Sequence, residues 1–444
     1  MDNSFNEESS LHVPNDYYTY GGLIRPVVIE EINDIYVKNV HFEPKKVCGV
    51  WTGEIKIEIE NLNETAKKVQ LLARLNGNEL IGIEEIEAKS KKIITLTGKY
   101  EGVKEWNPLK PNLYLLEIVL EDPETKSAYD DLIDRVGFRE ISIDGRAFKI
   151  NGKRVFLKGF NRHEDYGTLG ASVPFSVMNQ DLDMMMEMGS NAVRTCHYPN
   201  DERFLDLCDE KGIMVWEENH ARGFDLKKMQ NPNFDRQCHD CIEEMIYQHF
   251  NHPGIVIWGI LNECASETTE GREKYKMQYE QILSLDSSRP RTSATCRHLS
   301  DITLDLPDVV SFNMYSGWYE DIDVKTKHDR EMEWIDKVAG KVKPVIVSEF
   351  GAAAMYGVRD RGHAKWSEER QADIIRENLE VYKEDDRLTG TFIWQFADCR
   401  VTEEEWFYTR VRCHNNKGVV DEYRRPKEAY DVVKEYFPKM GVNL

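Results

Sequence analysis

The amino-acid sequence predicts a multidomain protein in which a (β/α)8 TIM barrel follows an immunoglobulin-like β-sandwich. Three observations carry this expectation. At 444 residues the chain exceeds what one ordinary core organises. Apolar residues recur with a period near two over the first third, and short apolar runs then alternate with helix-length amphipathic segments. Reactive side chains cluster at the C-terminal ends of those runs, where a barrel places its site.

Residues 35–139 supply the sandwich. IKIEIENL, VQLLARL, KIITLTG and LYLLEIVL are near-alternating or β-branched, and Asn, Gly, Pro and Lys-rich turns separate them. The segment WNPLKPNLY places two prolines before the last of these runs. After VGFREISIDG the pattern changes, and residues 140–444 read as the barrel. Its strands are RVFLKGF, NAVRTCH, GIMVWEE, IVIWGIL, RPRTSAT, DVVSFNM, KPVIVSE and GTFIWQF. Helical pieces such as NQDLDMMMEMG, DERFLDLCDEKG and SEERQADIIRENLEVYKED lie between them, giving eight strand-and-helix units. The stripe Met184, Met185, Met186 and Met188 reads as helix packing rather than as a ligand box. Cys238 and Cys241 have zinc-ligand spacing, but no second pair follows, and NFDRQCHDCIEEMIYQHF reads as one amphipathic helix. No metal is expected.

Composition narrows the partners. With 58 Lys and Arg against 79 Asp and Glu, the formal charge is −21, which argues against nucleic acid or an anionic membrane as the main partner. No run approaches the ~18 apolar residues of a membrane span. MDNSFNEESS is polar and acidic, unlike a secretory signal, and nine cysteines make an odd, scattered set. A reducing, cytoplasmic setting is expected.

The strand ends carry Asn161, Arg162, His163 and Glu164; His197; Glu217 and Glu218; Asn262 and Glu263; Asn313 and Tyr315; Glu349; and Trp394. Glu263 ends the fourth strand and Glu349 the seventh, so both are expected to face one cavity. Paired carboxylates there suit glycosidic bond cleavage: one protonates the leaving oxygen while the other attacks or stabilises the anomeric carbon. A separation of about 5–5.5 Å serves retention and about 6.5–9.5 Å inversion. Each charge raises the other's pKa, so one acid is expected to keep its proton near neutrality. Asn262 is placed to hydrogen-bond a sugar hydroxyl, and Tyr315 to donate to Glu349 and keep it anionic.

The motifs GFNRHEDYG, RTCHYPN, GILNE, VSEFG and IWQFAD, in this order, resemble glycoside hydrolase family 2 and, within it, the bacterial β-glucuronidases. The likeness runs from Asp16 to the C-terminus. It implies a retaining exo-glycosidase hydrolysing β-D-glucuronides by double displacement, with Glu263 as acid/base and Glu349 as nucleophile. It places His163, Asn313, Tyr315, Tyr319 and Trp394 around the sugar and Asp16 at its hydroxyls. It also gives a role to RCHNNKGVV, a cationic knot in an acidic chain. Asn415 and Lys417 there match an Asn-x-Lys motif that binds the uronic acid carboxylate, an amide donor and a point charge suited to a small anion. No cofactor is implied, the partner is a small-molecule glucuronide, and a homo-oligomer is expected.

Two departures from the family pattern keep alternatives open. The segment RVTEEEWFYTRVRCH is a few residues longer than in the glucuronidases, and Arg410 and Arg412 compete for the place of an expected arginine. A β-galacturonidase or β-galactosidase of the same family is therefore an alternative. The family also begins with a jelly-roll domain, of which residues 1–34, through NDYYTYGGLIRPVVIEE, resemble only the last part. That segment is expected to present open strand edges and half-covered apolar faces, with the full protein continuing upstream. A non-catalytic carbohydrate-binding remnant is the corresponding reading outside the enzymes.

Overall fold

The computed structural model describes residues 3–404 and 406–441. Strands β1 (Ile35–Val47), β2 (Val50–Asn61), β3 (Lys67–Leu75), β4 (Asn78–Ile86), β5 (Ser90–Tyr100), β6 (Tyr114–Glu121) and β7 (Ala128–Val136) form two antiparallel sheets. Their orders are β1-β2-β5 and β4-β3-β6-β7. The period of two does the work: Ile55, Ile57 and Ile59 of β2 point inward and meet Leu71 of β3 and Ile118 of β6.

The barrel strands are β8 (Leu157–Arg162), β9 (Ala192–Thr195), β10 (Met214–Glu218), β11 (Ile255–Asn262), β12 (Arg291–Thr295), β13 (Val310–Asn313), β14 (Val345–Phe350) and β15 (Leu388–Ile393). They close in chain order, each paired in parallel with the next and β15 with β8. Helices α1 (Phe175–Glu187), α2 (Glu202–Lys211), α3 (Phe234–His249), α4 (Thr269–Leu285), α5 (Val324–Val338) and α6 (Glu368–Lys383) lie in the connections, and α7 (Glu428–Tyr436) follows β15. On α1, Met178 and Met185 are buried while Met186 is exposed, as packing on one helix face requires. Cys238 of α3 is buried among core residues, and neither it nor Cys241 belongs to a group of three metal ligands among the described residues.

Two expectations are corrected. The link between β12 and β13, residues 296–309, holds no helix. Pro307 lies in it, and the Lys343 ammonium donates to the carbonyls of Leu304, Asp305 and Pro307, satisfying backbone that a helix would satisfy internally. Residues 3–34 contain no strand. Instead the segment lies along the barrel mouth as extended chain, burying Leu11, Asp16 and Tyr17 while Leu23, Val27, Val28 and Ile29 stay exposed.

No helix among the described residues is long and apolar enough to cross a membrane.

Candidate active site

The C-terminal strand ends gather around a cavity of about 290 Å³. Of the residues singled out in the sequence, Asp16, Glu263, Asn313, Tyr315, Tyr319, Glu349, Trp394 and Lys417 line it. The strands that bring them there lose regular register at their ends. Pairing shifts between Gly259 and Asn262, between Phe312 and Asn313, and between Val347 and Phe350. Such irregularities re-aim side chains. Glu263, the residue after β11, has φ of 54°, in the left-handed region that a side chain rarely adopts, and the Asn313 amide donates to its Oε1 at 2.9 Å.

Glu349 is the most constrained group of the site. Arg194 donates to Oε1 at 3.0 Å and the Tyr315 hydroxyl to Oε2 at 2.7 Å. Burial, and secondarily the charge of Glu263, push its carboxyl up to about 7, against the opposing pull of Arg194, Tyr315 and Arg222. Arg194 is itself fully buried on β9. It spends its donors on Glu218, Asn161, Asn262 and Glu349, and its guanidinium stacks over Trp216. This arginine ties four strand ends into one rigid frame.

On the other side of the cavity, Asp16 anchors a cationic cluster. Arg410 donates to both of its carboxylate oxygens and, through Nη1, to the Tyr319 hydroxyl at 3.1 Å. Asn415 donates to Asp16 Oδ2 at 3.0 Å. Lys417 is buried, lies over the rings of Tyr319 and Tyr315, and has Asn415 Oδ1, at 3.5 Å, and the Tyr319 hydroxyl as its neutral acceptors. Among the described residues it forms no ion pair. An unneutralised buried ammonium is costly unless an anion completes it. The choice between the two arginines is resolved: Arg410 faces the cavity, while Arg412 is exposed and turns to Glu422.

Three expected site residues do not line the cavity. His163 meets the Trp394 ring edge-on at 5.4 Å, and its Nε2 is buried without a partner. Asn262 accepts from Arg194 through Oδ1 and leaves Nδ2 buried and unpaired. Asn415 stands behind Asp16 and Lys417, its amide committed to the carboxylate. Sequence reasoning missed Arg194 and Arg222. An arginine inside the apolar strand NAVRTCH was the available signal for the first; the second, on a loop, gave none. Arg222 is half-buried in the cavity wall with Nη2 3.7 Å from Glu263 Oε2, and its side chain donates no hydrogen bond to any described residue. The ligand atoms of His163, Cys196 and His197 lie within 4.8 Å of one another and form the group beside the site that could hold a metal.

Comparison with known proteins places this geometry. Residues 141–442 match the family described as "Glycosyl hydrolases family 2, TIM barrel domain", and residues 35–139 match "Glycosyl hydrolases family 2". A curated β-glucuronidase of Paenibacillus borealis is 28% identical over 449 residues, covering 96% of this chain and 71% of that protein. The crystal structure of a GH2 β-galacturonidase from Eisenbergiella tayi bound to galacturonate is 47% identical, with a TM-score of 0.96, over 99% of this chain and 79% of that one. A β-D-glucuronidase structure from Dictyoglomus thermophilum is 28% identical, with a TM-score of 0.77, over 91% of this chain and 69% of that one.

Proposed function

The chain belongs to glycoside hydrolase family 2, whose activity is glycoside hydrolysis, and from that premise we propose that it is a retaining exo-β-D-uronidase whose preferred substrates are β-D-galacturonides. In this reading residues 35–139 are a supporting sandwich, and residues 140–444, with Asp16 added from the segment 1–34, form the catalytic unit. The observation that carries the uronide assignment is the buried Lys417 ammonium, which has no ion-pair partner among the described residues and lines the cavity that holds Glu263 and Glu349. A C6 carboxylate supplies the missing anion; a neutral galactoside does not. Asn415 orients Lys417, and Arg410 fixes Asp16 toward the ring hydroxyls. The preference for galacturonides is supported by the 47% identity to the Eisenbergiella tayi enzyme over 99% of this chain.

The roles follow from the partners. Glu349, with both oxygens held by donors, attacks the anomeric carbon as the glycosidic C–O bond breaks, while Glu263 gives its proton to the leaving oxygen. Glu263 then takes a proton from water, whose oxygen attacks the anomeric carbon, and the bond to Glu349 breaks to release the uronic acid with its configuration retained. Asn313 steadies Glu263, His163 packs behind Trp394, and Trp394 and Tyr319 bound the ring.

A second reading, β-D-glucuronide hydrolysis, is favoured by the curated relatives named β-glucuronidase at 27–29% identity. Steady-state rates on 4-nitrophenyl β-D-galacturonide, glucuronide and galactoside decide between them. The galacturonide is expected to be fastest, and Lys417→Ala is expected to cost the uronides on the order of 10²-fold in kcat/KM while sparing the galactoside. A galactoside outrunning both uronides overturns the carboxylate-receptor reading. Proton NMR of the first product anomer tests retention.

A further inference from the structure

A second hollow, also about 290 Å³, meets the sugar cavity at Glu263 and shares Arg222, Cys296 and Trp406 with it. Each volume is near the lower bound of ~300 Å³ for small-molecule sites, so each takes about one ring. The acid that protonates a glycosidic oxygen stands between sugar and leaving group. The hollow beyond Glu263 is therefore where the leaving group lies, and this argument rests on the uronidase reading above.

Its wall is chemically unusual for a chain of net charge −21. Among the described residues, Arg222, Arg297 and Lys228 line it, with Glu263 as the one carboxylate. The two guanidiniums donate no hydrogen bond to any described residue. Arg222 has only the 3.7 Å contact with Glu263. Arg297 Nε is buried and lies 3.2 Å from Glu267 Oε2 without hydrogen-bond geometry. Two planar forks with uncommitted donors suit a planar carboxylate, which each can grip in bidentate fashion. Trp406, half exposed at the shared rim, adds a flat apolar face against which a ring can stack. A neutral or apolar leaving group would use the tryptophan and leave both forks unengaged.

We propose that this hollow is a leaving-group subsite that selects substrates whose leaving group itself carries a carboxylate, borne on an acidic sugar or an aromatic acid. The test compares kcat/KM within matched pairs on the whole protein. One pair is 4-carboxyphenyl and 4-carbamoylphenyl β-D-galacturonide; the other is a β-linked galacturonosyl-galacturonate and the same disaccharide ending in galactose. The acid member is expected to be faster by about tenfold, the worth of one charge-assisted hydrogen bond, and the ratio is expected to shrink with added salt and to fall toward one in Arg297→Gln. A preference in the aryl pair alone assigns an aromatic acid, and one in the disaccharide pair an acidic sugar. Ratios of one in both pairs, or a ratio that survives Arg297→Gln in a variant with unchanged thermal melting, overturn the proposal. Because every substrate carries the same galacturonyl group, turnover of the pairs without preference defeats the subsite alone, whereas turnover of galactosides ahead of galacturonides defeats the uronidase reading.

Discussion

Glu349 is desolvated in the cavity it shares with Glu263, and both burial and that neighbouring charge raise its pKa. In the proposed mechanism Glu349 attacks as its carboxylate. With its carboxyl pushed up to about 7 by burial and by Glu263, Glu349 gains that anionic form as pH rises through about 7. The acid limb of kcat/KM for the galacturonide is therefore expected there. Tyr315 donates to Glu349 at 2.7 Å and favours its anion, so Tyr315→Phe removes a pKa-lowering contact and moves the limb to higher pH. An unshifted limb would detach Tyr315 from the titration of Glu349. Glu349→Gln keeps the shape of the side chain but not the nucleophile. Turnover is expected to fall on the order of 10⁴-fold while calorimetry still detects galacturonate binding, because Lys417 and Asp16 remain. At this scale the sequence was informative where chemistry is local to a motif, as in Glu263 of GILNE and Glu349 of VSEFG. It was silent where a role arises from convergence. Arg194 donates to Glu218, Asn161, Asn262 and Glu349, 24 to 155 positions away, and its place in an apolar strand signals burial but not those partners.

The element that presents Lys417 has little structure of its own. Two short strands, β16 (Cys399–Arg400) and β17 (His414–Asn415), pair antiparallel and hold the loop that follows. The loop is fixed from beneath by a buried ion pair. Lys427 Nζ donates to Asp398 Oδ1 at 2.8 Å and to the carbonyls of Ala354 and Asn416, while Asp398 Oδ1 also accepts the Gly418 amide. Gly418 leaves no room for a side chain, since a Cβ there would sit 2.3 Å from the Asp398 nitrogen. Breaking a buried pair strands the surviving charge. Asp398→Asn is therefore expected to cost about 3 kcal/mol in denaturant unfolding and to raise KM for the uronide more than it lowers kcat. A change in stability with KM untouched would separate the pair from Lys417. Elements of this kind are poorly legible in sequence. The barrel strands announced themselves through runs such as IVIWGIL, whose burial on both faces demands continuous apolar residues. Residues 296–309 and 3–34 offered no period at all, because side chains elsewhere, Lys343 and the barrel mouth, satisfy their backbones.

At the scale of the molecule, the sandwich and the barrel share a core. Trp106 leaves the sandwich to enter the N-terminal floor of the barrel, where it is fully buried with Phe148, Leu157, Trp216 and Phe392, and its indole donates to the Asp209 carbonyl at 2.9 Å. Arg139, at the junction, is buried and donates to the carbonyls of Pro253 and Ile255 at the start of β11, the strand that ends at Glu263. Asn251 grips β1 by donating to the Val40 carbonyl and accepting the Phe42 amide. These contacts join residues more than 100 positions apart, which is why WNPLKPNLY reads in sequence only as a turn before a strand. The boundary that composition suggests near residue 139 is thus a change of architecture across which packing is continuous. If so, the two parts unfold together: tryptophan fluorescence, which reports mainly the barrel, and far-ultraviolet circular dichroism, which reports both, should share one denaturant midpoint. Trp106→Ala opens a cavity in the floor and is expected to cost about 3–5 kcal/mol, moving both signals by the same amount. Two separated transitions, or a shift confined to one signal, would mean that the sandwich is a passive neighbour and that β11 holds Glu263 in place without it.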